Sequence, residues 1–123
     1  MAGSFRFPSD HRLHAGAQFD RAYREGRRAG DGLFAVNAVP NTTGHARLGM
    51  SVSTKTVGNA VNRNRVRRLI RHFFRHVSPQ LPALDYVVTS RPGARTADRD
   101  ALLSSLERLT ADATRRAQPK SPA

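Results

Sequence analysis

The chain has 123 residues, which suits one compact domain and leaves little room for a second. It contains no cysteine, which excludes disulfides, thiolate metal sites and thiol nucleophiles together. Its 21 Lys and Arg against 9 Asp and Glu give a formal net charge of +12, a balance that makes a compact state repel itself and calls for a polyanionic partner.

In chain order, residues 1–8 read as a flexible N-terminus without the apolar core of a signal peptide, so the expected location is cytoplasmic. The folded domain is expected over residues 9–114. "AGAQFDRAYRE", about Ala15 to Glu25, reads as a short helix with Phe19, Ala22 and Tyr23 on one face, and Gly26 stops it. Arg27 to Gly30 add a brief strand. "LFAVNAV" (33–39) is a strand, "PNTTGH" a turn, and "ARLGMSVS" (46–53) the next strand. A long basic helix follows from about Val57 to Val77, ended by "SPQLP" because proline removes a donor and restricts its predecessor. "LDYVVTS" (84–90) is a buried strand and "RPGA" a loop. Thr96 is the expected cap of a last helix whose Leu102, Leu103, Leu106 and Leu109 face inward. Residues 115–123, "RRAQPKSPA", read as a disordered basic tail. No apolar run is long enough to span a membrane as a helix. The order αβββαβα describes a single-domain α+β two-layer sandwich.

The charge is concentrated. Between Gly32 and Leu84 there is no Asp or Glu, while Arg47, Lys55, Arg63, Arg65, Arg67, Arg68, Arg71 and Arg75 lie there. At about 100° per residue from Arg63, the residues Val66, Leu69, Ile70, Phe73 and Val77 fall between roughly 240° and 340°. Arg63, Arg67, Arg71 and Arg75 step from about 0° to 120°, with Arg68 near 140° and Arg65 near 200°. One arc packs on a sheet and the other faces out. A solvated helix face mixes signs and collects Glu–Lys pairs, whereas this one stacks like charges that destabilise the isolated helix. A membrane-surface helix would need its apolar arc free for lipid. A helix-turn-helix reader of DNA would need a second helix just upstream, where strand-like "LGMSVS" lies. RNA backbone is the simplest partner.

"VGNAVNRNRVRRLIR", residues 57–71, resembles the signature of the bacterial ribonuclease P protein component, with its Arg-Asn-Arg core at Arg63, Asn64 and Arg65. The resemblance extends in the family's order to "FDRAYREG" (19–26), "RLGMSVS" (47–53) and "DYVVTSRPGA" (85–94), covering roughly residues 10–112. It implies a four-stranded sheet packed with about three helices and a left-handed βαβ crossover, the ribosomal protein S5 domain 2-like fold. It also implies a non-catalytic protein subunit that pairs with a catalytic RNA. That RNA hydrolyses precursor tRNA at the mature 5′ end with Mg²⁺, which it holds mainly itself. One protein per RNA is expected, and no membrane. Lys55, Asn59, Arg63, Asn64, Arg65, Arg67, Arg68, Arg71 and Arg75 are implied against the catalytic RNA. Phe19, Tyr23, Phe34 and Arg47 are implied at the substrate's 5′ leader. The chain departs from the family in having Thr54–Lys55 where two lysines are common, and Asn37 where a strand tyrosine can occur.

Arginine forks suit phosphate, and aromatic faces accept unpaired bases of any sequence. Ordinary helix-to-sheet packing is the competing role for Phe19 and Tyr23. His72 and His76 stand four apart, a spacing that can present two imidazoles to one metal, but no third ligand accompanies them and no metal site is assigned. Asp98 and Asp100 do not share a helix face, so a two-metal nuclease finds no carboxylate cluster and no catalytic side chain is assigned. The alternative reading is a general basic RNA-binding or ribosome-associated protein with no part in cleavage.

Overall fold

Strand β2 (Phe34–Pro40) is apolar on one face and, but for Asn37, on the other, and a strand of that kind must be covered on both sides. The computed structural model, which describes residues 11–14 and 16–118, does this with helices on either face of one sheet. The expected flexible segment 1–8 lies outside the described residues. The other strands are β1 (Arg27–Gly30), β3 (Arg47–Ser51) and β4 (Leu84–Ser90), in the spatial order β1-β2-β4-β3. β2 pairs antiparallel with β1 and β4, whereas β3 lies parallel to β4, with Arg47 opposite Asp85 and Gly49 opposite Val87. A parallel neighbour requires a crossover, and the basic helix supplies it.

On one face, Phe34, Val36, Ala38, Leu48, Leu84, Tyr86 and Val88 form the main core with Val66, Leu69, Ile70, Phe73 and Phe74 of helix α3 (Ala60–Val77) and Leu102, Leu106 and Leu109 of helix α4 (Arg99–Ala117). The apolar arc inferred from spacing is therefore the buried one. Phe74 meets Tyr86 edge-on at 5.5 Å between ring centroids. On the reverse face, helix α1 (Gly16–Glu25) seats Ala22 and Phe19 against Val39 and Val87 in a smaller cluster. (For numbering in chain order, α2 is the one-turn helix Thr54–Val57.)

Three local expectations are corrected. The basic helix is not continuous from Val57. Ser53 caps α2 through the Thr56 amide, Gly58 turns the chain at φ 96°, and Asn59 opens α3 by accepting from the Asn62 amide at 2.9 Å. Glycine serves there because other residues seldom adopt that φ. The cap of the last helix is Asp98, whose Oδ1 accepts from the Ala101 amide at 2.9 Å; Thr96 instead closes a 3₁₀ turn over Pro92–Arg95. Finally, Arg115, Arg116 and Ala117 belong to α4 rather than to a disordered tail. The helix is held that far because Ala113 is buried, Ala117 packs on the core, and the Tyr86 hydroxyl lies 2.6 Å from Thr114 Oγ1. Residues 119–123 lie outside the described residues.

Candidate nucleic-acid interface

Helix α3 has no acidic residue, and its arginines divide between two sides. Arg63, Arg67 and Arg71 run beside the outer edge of β3. Arg63 and Arg67 line a groove with Met50, Ser51, Val52, Ser53 and Thr54. Arg67 and Arg71 line an adjoining cleft of about 220 Å³ with Arg12, Leu13, Phe19, Leu48, Gly49 and Met50. Arg65, Arg68 and Arg75 lie on the other side, beside His72. The ion pairs among the described residues are Arg21–Glu25, Arg47–Asp85, Arg108–Asp31 and Arg115–Asp112. None of them uses Arg63, Arg65, Arg67, Arg68 or Arg71. Burial first, then the neighbouring charges of Arg67, Arg75, Arg68 and Arg12, hold the Arg71 guanidinium below the usual arginine range. Burial and neighbouring like charges both disfavour the charged form.

Two of these forks are steadied by the protein's own acceptors. Arg63 Nε donates to the Val52 carbonyl at 2.7 Å and Arg65 Nε to Asn62 Oδ1 at 2.8 Å. Each bond engages Nε and leaves the two terminal nitrogens without an acceptor among the described residues. Pre-positioning of this kind reduces the rotamer freedom lost when a phosphate arrives. Asn64 and Lys55 are exposed, and Asn59 is exposed but uses its side-chain oxygen to cap α3.

The leader residues are not brought together as a set. Phe19 is half-buried, with its ring over Gly49. A Cβ on Gly49 would lie 2.8 Å from the ring, so only glycine lets the aromatic side chain settle on β3. Tyr23 is 39% exposed, and its hydroxyl lies 3.4 Å from Thr89 Oγ1 on the same sheet face. Phe34 is corrected to a core residue: it is fully buried on the opposite face, because β2 alternates and Phe34 shares the side of Val36 and Ala38. Arg47 is corrected as well. Its fork is closed on Asp85 through Nε at 2.7 Å and a terminal nitrogen at 2.8 Å, and Asn41 Nδ2 donates to the same carboxylate at 2.8 Å. At 16% and 2% side-chain exposure the pair braces β3 against β4. Asn37 is buried; Arg28 Nε donates to its oxygen at 3.4 Å and its nitrogen donates to the Ala22 carbonyl at 3.5 Å.

Sequence reasoning missed Arg12, Leu13 and Gly49. Leu13 joins the β3 edge by donating its amide to the Leu48 carbonyl at 2.9 Å, which carries Arg12 to the cleft. Nothing in the local pattern of residues 11–14 marks that docking. His72 and His76 lie with ring centroids 4.5 Å apart, His76 Nδ1 being 2.9 Å from the His72 carbonyl. Among the described residues no three His, Asp or Glu side chains gather to hold a metal ion. Among those residues, too, no helix is long and apolar enough to cross a membrane.

The family model described as Ribonuclease P matches residues 7–114. The chain belongs to the ribonuclease P protein family. The ribonuclease P protein component of Methylococcus capsulatus is 38% identical over 112 residues, covering 91% of this chain and 88% of that one. Among solved structures, the Staphylococcus aureus RNase P protein superimposes with a TM-score of 0.78 at 34% identity, covering 85% of this chain and 97% of that one. The Thermotoga maritima RNase P protein gives 0.72 at 26% identity, with 88% and 98% coverage. The chain is thus the protein subunit of an endoribonuclease holoenzyme whose RNA performs the catalysis, and its partner is ribonuclease P RNA. The sheet order and helices described above are those of the family.

Proposed function

We propose that helix α3 binds the phosphate backbone of the catalytic RNA while the α1–β3 cleft beside it receives the 5′ leader of precursor tRNA. The observation that carries this reading is the shared cleft. Arg67 and Arg71 of the basic helix and the half-buried ring of Phe19 line one cavity. A single-stranded leader can stack a base on the aromatic face and set its phosphates against the guanidinium groups, whatever its sequence. The subunit then assists removal of the leader by holding the substrate's single-stranded end against the ribozyme, with one protein for each RNA. Mg²⁺ is held mainly by the RNA. Positive charge brought to the RNA also lowers the demand for screening cations. The site of action is the cytoplasm.

Reconstitution with a bacterial ribonuclease P RNA tests the reading. The protein should promote precursor-tRNA cleavage at low Mg²⁺ and cleave nothing alone. A general RNA-binding protein would bind the RNA without raising cleavage, and that result would reject the proposal.

A further inference from the structure

The second side of α3 is not a continuation of the first. Arg65, Arg68, Leu69, His72 and Arg75 line a cavity of about 420 Å³ together with Arg99, the first residue of α4. It shares no residue with the β3-edge grooves. Four guanidinium groups and an imidazole line it, and no carboxylate does. Around the helix, Arg63, Arg67 and Arg71 are centred about 120° from Arg65, Arg68, His72 and Arg75. Arg63 and Arg67 therefore face away from this cavity, and of the two sets only Arg71 and Arg75 stand on neighbouring rows, about 40° apart.

Arg99 is informative because the fold gives it no reason to be basic. A cation in the first turn of a helix opposes the macrodipole. Arg99 is exposed, its side chain makes no ion pair or hydrogen bond among the described residues, and it belongs to a different helix from the signature. It also adds to the positive surroundings that, after burial and His76, depress the His72 imidazole below its ordinary value.

We propose that the α3–α4 cavity seats a phosphate of a second segment of RNA backbone, so that α3 lies between two segments and Arg99 is an RNA-binding residue outside the signature. This rests on the reading that the chain binds ribonuclease P RNA through α3. The phosphate belongs to that RNA; free inorganic phosphate would satisfy the same chemistry.

The test is a set of binding titrations with a bacterial ribonuclease P RNA between 50 and 200 mM salt, using R99Q, R68Q, R67Q and the two double variants containing R99Q. Loss of one phosphate contact should lower the log–log salt slope by about 0.7–0.9, so the affinity deficit of R99Q should be roughly threefold greater at 50 mM than at 200 mM. R99Q and R68Q should be non-additive, because they share one phosphate, while R99Q and R67Q should add. The free R99Q protein should melt at or slightly above wild type, so weaker binding cannot be charged to unfolding. Adding 10 mM inorganic phosphate separates the sources: a seat filled by RNA keeps its R99Q deficit, and a seat for free phosphate loses it. A wild-type slope for R99Q, or coupling to R67Q in place of R68Q, would overturn the proposal. If wild-type protein itself fails to bind the RNA, the parent reading has failed instead.

Discussion

Replacing Arg47 should cost folding stability rather than RNA affinity. Arg47 holds Asp85 through two hydrogen bonds at 2.7 and 2.8 Å, and the carboxylate is 2% exposed. In Arg47→Ala the buried carboxylate keeps only the Asn41 amide among its side-chain partners. Removing one member of a buried pair costs about 3–5 kcal/mol, chiefly the penalty of the charge left behind. Arg47 is 16% exposed, so water can enter along the vacated path, and the lower end applies. At ~4 °C per kcal/mol for a chain of 123 residues, a loss of about 3 kcal/mol lowers Tm by roughly 12 °C. Replacing both residues, Arg47→Met with Asp85→Leu, should restore most of that loss, because an apolar pair leaves no buried charge. Circular-dichroism melting of the three proteins measures both effects. An Arg47→Ala protein that melts within about 3 °C of wild type, yet binds leader-bearing substrate more weakly, would show that the bond to Asp85 is incidental and that the fork serves the leader.

Two further outcomes follow from the site. Phe19→Ala should weaken holoenzyme binding of precursor tRNA by roughly 5- to 160-fold, the range of one stacked base, while leaving mature tRNA unaffected; equal losses for both would assign the ring to packing alone. For His72, burial and then His76, Arg99 and Arg75 hold the folded imidazole below its ordinary 6.5. As pH falls through 6.5 the unfolded chain therefore takes up a proton first. Stability declines toward the lower folded pKa and levels off beneath it. His72→Gln should make the free protein's Tm less dependent on pH between 7 and 5, and an unaltered dependence would refute the assignment.

The buried arc of α3 was legible because Val66, Leu69, Ile70, Phe73 and Phe74 recur at helical spacing, and all five are buried. The arginine surface followed from the same spacing, since no acid lies on the segment to neutralise it. Its division into two sides was not legible. That division is set by β3 on one flank and Arg99 of α4 on the other, and both are tertiary neighbours. The break at Gly58 left a readable mark, Asn59 in a capping position, but Thr54–Val57 continues the helical pattern and hides it. Phe34 was misplaced because an aromatic residue at the end of a strand fits a base-stacking surface or a core equally well. Which face it takes depends on the pairing register with Ser90. The Arg47–Asp85 brace joins residues 38 apart through parallel pairing, which local pattern does not reveal. The last turns of α4 look polar and terminal, and what holds them is the bond from Tyr86 to Thr114 and the burial of Ala113.

The most direct measurement of whether α3 binds RNA backbone is the salt dependence of binding to ribonuclease P RNA for wild type and for the Arg65→Ala, Arg68→Ala double variant. With the phosphate that these two share no longer neutralised, the log–log slope should fall by about 0.7–0.9 while the fold stays intact. A slope that does not move would contradict the account, for those guanidinium groups would then be touching no phosphate.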